Sequence, residues 1–211
     1  MSLLLRRPRV ARSEGNTSVA TNARPLPTTA QILRHGDHGL GVLEGGHGSF
    51  IVVRGRCYTL RTDLSAEETG RAVRASSAAI TRFLPDRRLT VRRPQTMLQL
   101  VPALEQAFAD SATLGAFRID AWFSYVRVQA DRLGTDLIGI GAEDESQSHE
   151  FSDIMGTIVG FRNVDVEGDG GISRRLHFVD ERRQLGGRVV DFEVFRAHVE
   201  LARVTPVQTR R

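Results

Sequence analysis

The chain has 211 residues, 40% of them hydrophobic, and its 29 basic and 25 acidic residues give a net charge of +4. This length can bury a sizeable core in one large domain or two small ones. All 29 basic residues are arginine, so no lysine can form a Schiff base. The pI of about 10.4 follows from those arginines, but acidic residues are spread through the same chain. We therefore expect no nucleic-acid partner.

Cys57 is the only cysteine, which excludes an internal disulfide and a multi-cysteine metal site. It lies in the strand-like run CYTLR, so we interpret it as a core residue rather than a nucleophile. No run approaches the roughly 18–20 apolar residues of a membrane span. The start MSLLLRRPRVAR does not have the order of charged and apolar residues that a signal peptide needs. We expect a cytoplasmic protein that makes no membrane contact.

The chain opens with a segment of arginine, serine, threonine, asparagine and proline without periodicity, and residues 1–26 are predicted to be a flexible arm. Thr28 or Thr29 can cap a short helix that reaches about Arg34. The predicted structured part of the chain therefore begins near residue 27.

Strands and one longer helix are predicted next. The strands are Ser49–Val53, Arg56–Arg61, Ala75–Phe83 and Leu89–Val91. The first two form a hairpin turned at Arg54-Gly55, and Pro85-Asp86 separate the last two. An amphipathic helix opened by Thr96 follows from apolar residues at helical spacing, which are Met97, Leu100, Val101, Leu104 and Phe108.

The second half of the chain is predicted to be mainly strand. Apolar residues alternate with polar ones from Phe117 to Tyr125, which indicates a strand with two distinct faces. Residues 130–153 are polar and interpreted as a connection. A second, smaller sheet would contain Met155–Phe161, Arg174–Asp180 and Arg188–Val194. We therefore predict an α/β fold of the α+β kind, with two mixed β-sheets and few helices, divided into an arm (1–26) and subdomains 27–129 and 130–211.

The most informative stretch is the hairpin RRLHFVDERRQLGGRVVDF, from Arg174 to Phe192. Two short strands flank a turn that ends in Gly186-Gly187, and alternate residues of a strand share one face. Arg175, His177 and Arg188 are therefore expected to point into one common pocket.

Three blocks of the sequence resemble the bacterial α-acetolactate decarboxylases. They are HGDHGLGVLEGGHGSFIVVRGRCYTLRTD (35–63), FRIDAWFSYVRV (117–128), and GTIVGFR (156–162) continuing into the hairpin. Their order and spacing are similar to the family's, so the resemblance covers most of residues 28–195. It implies the family's fold and a homodimer whose sheet continues across the subunit interface.

The resemblance also implies a site, which this chain has altered. The family holds one zinc ion with a His-x-His pair and a third histidine on the hairpin, and these positions read Arg175, His177 and Arg188 here. The family's acidic residue in the first block is replaced by Ser49. A glutamate in the family's C-terminal tail has no counterpart, since no acidic residue follows Glu200 in this sequence. The family's active-site arginine, in the RID motif, is kept as Arg118.

Arginine has no lone pair for a metal, so we predict no zinc at the hairpin and no cofactor. Other histidines do not replace the site, because the spacing of His35, His38 and His47 gives no convincing set of three ligands.

Two interpretations of the arginines stay open. Arg175 and Arg188 can lie in solvent or pair with acids such as Asp120 or Glu193. Alternatively, they form with Arg118 and His177 a cationic pocket for an anionic or enolisable group, because guanidinium groups bind carboxylates and stabilise enolate oxygens. His177 would then act as a general acid or base.

Other residues could complete such a pocket. Glu44 and His47 lie close to the lost acidic position and are the candidates to replace it. Ser49 and Trp122 are further candidates for binding the substrate, which we expect to be a small molecule.

Three functions follow. The first is a metal-independent cyclase, isomerase or decarboxylase that acts on a β-dicarbonyl or carboxylated compound in bacterial secondary metabolism. The second is a genuine acetolactate decarboxylase that forms acetoin with atypical ligands. The third is a non-catalytic protein that binds a small molecule.

Overall fold

The computed structural model describes residues 26–108, 114–130, 148–163, 171–172 and 176–204. Two α-helices lie in these ranges, α1 (Thr29–Leu33) and α2 (Met97–Ala107), together with a short 3₁₀ turn at Glu44–Gly46. The strands are β1 (His38–Leu43), β2 (Ser49–Val53), β3 (Arg56–Leu60), β4 (Ala66–Glu68), β5 (Ala75–Thr81), β6 (Arg87–Val91), β7 (Gln95–Thr96), β8 (Leu114–Gln129), β9 (His149–Asn163), β10 (Gly171–Ile172), β11 (His177–Asp180) and β12 (Gly186–Val204). No helix in the described part is long and apolar enough to cross a membrane.

The strands form two sheets. The first has five strands in the order β4-β3-β2-β1-β5. The second has seven strands, five of which follow the order β10-β9-β11-β12-β6. Of the other two, β8 pairs with both β9 and β12, and β7 pairs with β12. Every pairing between described strands is antiparallel, so the α+β class is confirmed but the sheets are antiparallel rather than mixed.

Four strands of the second sheet pair in a closed cycle, β8-β9-β11-β12. The buried rings of Phe123, Phe178 and Phe192 pack edge to face between these strands, with centroids 5.4 and 6.0 Å apart. Leu100 and Leu104 of α2 belong to the same apolar cluster. This is the largest part of the core, and it fixes the long strands relative to one another.

The two sheets pack face to face through a second apolar cluster. It joins Leu40 and Ile51 of the first sheet to Val159 and Val179 of the second. The opposite face of the first sheet carries Phe50, which packs in a third cluster with Ile32 of α1. Strand β2 is therefore buried on both faces, which explains the uninterrupted apolar run FIVV that follows Ser49.

The predicted local elements of the first half are confirmed. Thr28 caps α1 and forms a capping box with Gln31. The hairpin of β2 and β3 turns at Arg54 and Gly55, whose φ angles of 51° and 79° suit a tight antiparallel turn. Helix α2 begins after Thr96, as its apolar spacing predicts.

The long-range arrangement differs from the prediction in three places. Strands β5 and β6 exist, but they belong to different sheets. Residues 149–153, predicted as connection, are the beginning of β9. The sheet built by the C-terminal strands is the larger one, and β8 pairs along its length with β9 and β12, so the predicted division at residue 130 does not separate the sheets. The predicted arm lies, but for residue 26, outside the described residues.

Candidate functional site

The hairpin of β11 and β12 places His177 directly opposite Arg188. Asp180 organises its turn, because its carboxylate accepts hydrogen bonds from the backbone N–H groups of Arg182, Gln184 and Leu185 at 3.1, 2.7 and 2.8 Å. The predicted hairpin is therefore confirmed around its turn. Arg175, the third residue expected in its pocket, lies outside the described residues.

One cross-strand row connects three of the candidate residues, Arg118, His177 and Arg188. Arg118 on β8 pairs with Val159 on β9, Val159 with His177 on β11, and His177 with Arg188 on β12. Because β8 closes the cycle, Arg188 then pairs with Gln129 at the other end of β8. Directly opposed residues share a face, but Arg118 and His177 are two strand spacings apart, about 10 Å between Cα atoms.

His177 is 3% exposed, and its Nδ1 lies 3.1 Å from the backbone oxygen of Phe50 in β2. A carbonyl oxygen can only accept, so Nδ1 carries the proton of this hydrogen bond. In the neutral ring the lone pair is then on Nε2. A histidine that binds a metal or accepts a proton is commonly fixed in this way, with one ring nitrogen held by a backbone carbonyl.

Arg188 is half-buried, and its Nη2 donates to Oε1 of Gln129 at 2.5 Å. Gln129 is itself buried at the end of β8. Sequence reasoning missed this residue, because its contact depends on the register between β8 and β12, which no local pattern in the sequence fixes.

Ser49 is fully buried, and within the described part of the chain its Oγ has no hydrogen-bond partner. It lies on the same face of β2 as Ile51 and Val53, which belong to the cluster between the sheets. The hydroxyl therefore faces the layer into which His177 also extends from the other sheet. Such an orphaned polar atom costs stability unless a ligand or water satisfies it.

Arg118 also lies between the two sheets, but other residues hold it. Its Nε donates to Asp120 at 3.1 Å and its Nη2 to Glu200 at 2.5 Å. Its guanidinium carbon lies 5.4 Å from the centre of the Phe83 ring. Burial opposes ionisation of Glu200, but its hydrogen bond from Arg88 and the charge of Arg118 together hold its pKa below the usual value. Two carboxylates thus neutralise Arg118, and it does not join Arg188.

The other candidates lie outside this layer. Glu44 and His47 are exposed in the turn between β1 and β2. Trp122 is 43% exposed, and its Nε1 donates to Asp153 Oδ1 at 2.6 Å. Cys57 is buried, as predicted, and burial raises its pKa to about 11. The structure therefore brings together His177, Arg188 and Gln129, with Ser49 on the facing sheet.

A zinc ion held in the way the resemblance implies does not fit these residues. Arg188 occupies the position directly opposite His177, and a guanidinium cannot ligate a metal. Among the described residues, no group of three histidine, cysteine, aspartate or glutamate side chains could hold a metal ion. The sequence has another arginine at position 175, the third of the positions where the resemblance implies a ligand.

Two packed antiparallel sheets with few helices define an α+β protein, in which a histidine of one sheet is fixed against a backbone carbonyl of the other. The model of the family described as alpha-acetolactate decarboxylase matches residues 19–210. The chain belongs to this family, which confirms the resemblance seen in its three blocks.

Individual relatives agree with this assignment. The alpha-acetolactate decarboxylase of Methanosarcina mazei is 29% identical over 172 residues, which are 80% of this chain but only 59% of that protein. The one from Methylococcus capsulatus is 27% identical over 82% of this chain and 68% of its own length. The crystal structure of the alpha-acetolactate decarboxylase from Bacillus subtilis superposes with a TM-score of 0.74 at 25% identity, covering 87% of this chain and 80% of that one.

Proposed function

We propose that this chain is a family member that works without zinc and acts on a small carboxylated or β-dicarbonyl compound as a decarboxylase, isomerase or cyclase. The observation that carries the proposal is the pairing of His177 with Arg188. The histidine keeps the orientation of a ligand, while the residue opposite it is a cation that cannot ligate.

The site residues suit such chemistry. Arg188 donates to Gln129, and a guanidinium group is suited to binding a substrate carboxylate or an enolate oxygen. Nε2 of His177 can accept or return a proton. Loss of CO₂ from a β-keto acid and removal of a proton beside a carbonyl both lead to an enolate. Arg188 would therefore stabilise the intermediate that all three reactions share.

The decisive experiment compares the natural chain with a variant in which the ligand set is rebuilt. Arg175→His combined with Arg188→His restores three histidines at the hairpin, and we expect it to bind zinc stoichiometrically. The natural chain should bind none under the same conditions, by metal analysis after gel filtration. Arg56→Gln, which changes an exposed arginine on β3, serves as the control.

Activity is followed in parallel with α-acetolactate and with simple β-keto acids, measuring acetoin and CO₂. We expect CO₂ release or enolisation by the natural chain that persists after treatment with a chelator and is lost in His177→Gln. The proposal would be contradicted if the natural chain neither bound nor converted any of these compounds.

The alternative is a genuine acetolactate decarboxylase with atypical ligands. The names of the relatives favour it, since the curated proteins with the same motif blocks are called alpha-acetolactate decarboxylases. Stoichiometric zinc in the natural chain, together with acetoin formation that a chelator abolishes, would establish this function instead.

A homodimer in the cytoplasm is a further proposal, based on the family resemblance. Sedimentation analysis of the natural chain tests the oligomeric state, and we expect a mass of two copies.

A further inference from the structure

A concave surface lies beside the turn between β2 and β3, on the same face of the seven-stranded sheet as Arg118 but apart from His177 and Arg188. It is an open depression of about 850 Å³, lined by Asp120 and Trp122 of β8, Met155 and Thr157 of β9, Arg183 of the hairpin turn and Arg196 of β12, among others. Ser49, His177 and Arg188 do not line it. The RID and GTIVGF motifs meet here, because Thr157 Oγ1 donates to Asp120 Oδ1 at 2.8 Å.

The floor of this depression carries exposed apolar side chains. Trp122 and Met155 are cross-strand partners and are 43% and 52% exposed. The ring of Phe195, 39% exposed, meets Trp122 edge to face at 5.3 Å. Trp122 and Met155 line the depression and Phe195 lies beside it, and such a group of exposed large apolar residues indicates a binding surface.

The position of Phe195 has a structural cause. Val194 pairs with Phe123 and Arg196 pairs with Trp122, so Phe195 is the extra residue of a β-bulge. A bulge redirects a side chain that would otherwise follow the alternation of its strand. Here it adds a second aromatic ring beside Trp122, whose indole is already fixed by Asp153.

The charges around the depression are mainly positive. Its lining includes Arg54, Arg92, Arg183 and Arg196 but only two acids, Asp120 and Glu181. Asp120 is already engaged by Arg54 at 3.2 Å and by Arg118 at 3.1 Å. Arg196 is exposed and lies over Phe195 at 5.6 Å, which places a guanidinium at the edge of the aromatic floor.

We propose that this depression binds a planar organic anion of the aromatic carboxylate class. The ring of the ligand packs on Trp122 and Met155, and its carboxylate pairs with Arg196. The volume is within the roughly 300–1,000 Å³ of small-molecule sites. The apolar floor and the cationic rim together should bind an anion with a flat apolar body more tightly than an inorganic anion or a neutral ring.

Trp122 is the only tryptophan of the chain, so intrinsic fluorescence reports on this depression alone. The probe is benzoate, titrated into the natural chain, with benzamide as the neutral molecule of the same shape. We expect a saturable change with benzoate and a much weaker one with benzamide. Arg196→Gln should raise the Kd for benzoate about tenfold, the effect of one charge-assisted hydrogen bond.

Arg56→Gln is the matched control, since it removes an exposed arginine that does not line the depression. Its Kd for benzoate should equal that of the natural chain, and both variants should unfold at the same temperature as the parent. A linear, non-saturating response, an equal response to benzamide, or equal weakening by both substitutions would overturn the proposal. So would a dimer that shields Trp122 from benzoate and dissociates in Trp122→Gln, because a second copy would then be the occupant.

Discussion

Two histidines of this chain are equally buried but have opposite environments. His38 is 1% exposed and His177 is 3% exposed. The ring nitrogens of His38 lie near the backbone of Phe117 and Gly160 but form no hydrogen bond of standard geometry among the described residues, whereas Nδ1 of His177 donates to the carbonyl of Phe50. His38 instead stacks on Phe83 with centroids 4.3 Å apart and an interplanar angle of 17°.

The difference shows that two equally buried histidines can be held in different ways. His38 is used as a flat apolar ring, and burial, assisted by the positive charge of Arg118, lowers its pKa from 6.5 to about 3. His177 has a fixed tautomer and an oriented second nitrogen. The first ring packs against an aromatic side chain, and the second is hydrogen-bonded to the backbone of the facing sheet.

The largest expected effect is a loss of folding stability at low pH that arises at His38. The unfolded chain protonates His38 near pH 6.5, but the folded chain does so only near pH 3. Stability contributed at this residue is therefore intact above pH 6.5 and is lost progressively as the pH falls toward 3. The loss reaches roughly 5 kcal/mol at the acid end. His38→Phe should remove this pH dependence, as measured by urea unfolding at a series of pH values.

His47→Ala is the control, because that side chain is exposed and its removal should leave the acid slope unchanged. If phenylalanine proves too large for the site, His38→Leu tests the same point. An unchanged acid slope in both His38 variants would show that the residue does not carry the effect.

A smaller effect is expected at the arginine next to His38. Arg118→Leu leaves Glu200 and Asp120 without their shared guanidinium in a region where Arg118 and Glu200 are 12% and 11% exposed. Breaking a buried ion pair on one side costs about 3 kcal/mol or more. Chemical unfolding at neutral pH measures the change.

Arg54→Gln provides the comparison, because Arg54 pairs with the same Asp120 but is 64% exposed. Its loss should cost less than about 1 kcal/mol. If Arg118→Leu instead folds with unchanged stability but loses turnover, Arg118 serves the substrate, as the family resemblance implies, rather than the packing of the sheets.

A contrast between local and long-range contacts explains which features could be predicted from the sequence. Cap residues, the Arg54-Gly55 turn and the spacing of α2 are local, and they predicted those elements correctly. The common pocket of Arg175, His177 and Arg188 was predicted from alternation within strands, and Arg118 was added from the family resemblance. Alternation fixes the face of a residue but not its distance along the sheet. Gln129 and Arg118 lie on one strand, yet only the register of β8 with β12 and β9 places the first beside Arg188 and the second beside Glu200.

The smallest effect concerns Ser49, whose buried hydroxyl faces the layer of His177. Ser49→Ala removes a polar atom that lacks a partner among the described residues, so we expect a gain of about 1 kcal/mol in the free energy of unfolding. Thr59→Val is the control and should lower the free energy of unfolding, because the Thr59 hydroxyl is hydrogen-bonded to that of Thr69 at 2.9 Å. If Ser49 contacts the substrate, Ser49→Ala will also raise KM, so the variant would be more stable and less active. A loss of stability would instead mean that the hydroxyl is satisfied in the folded protein, for example by a bound water.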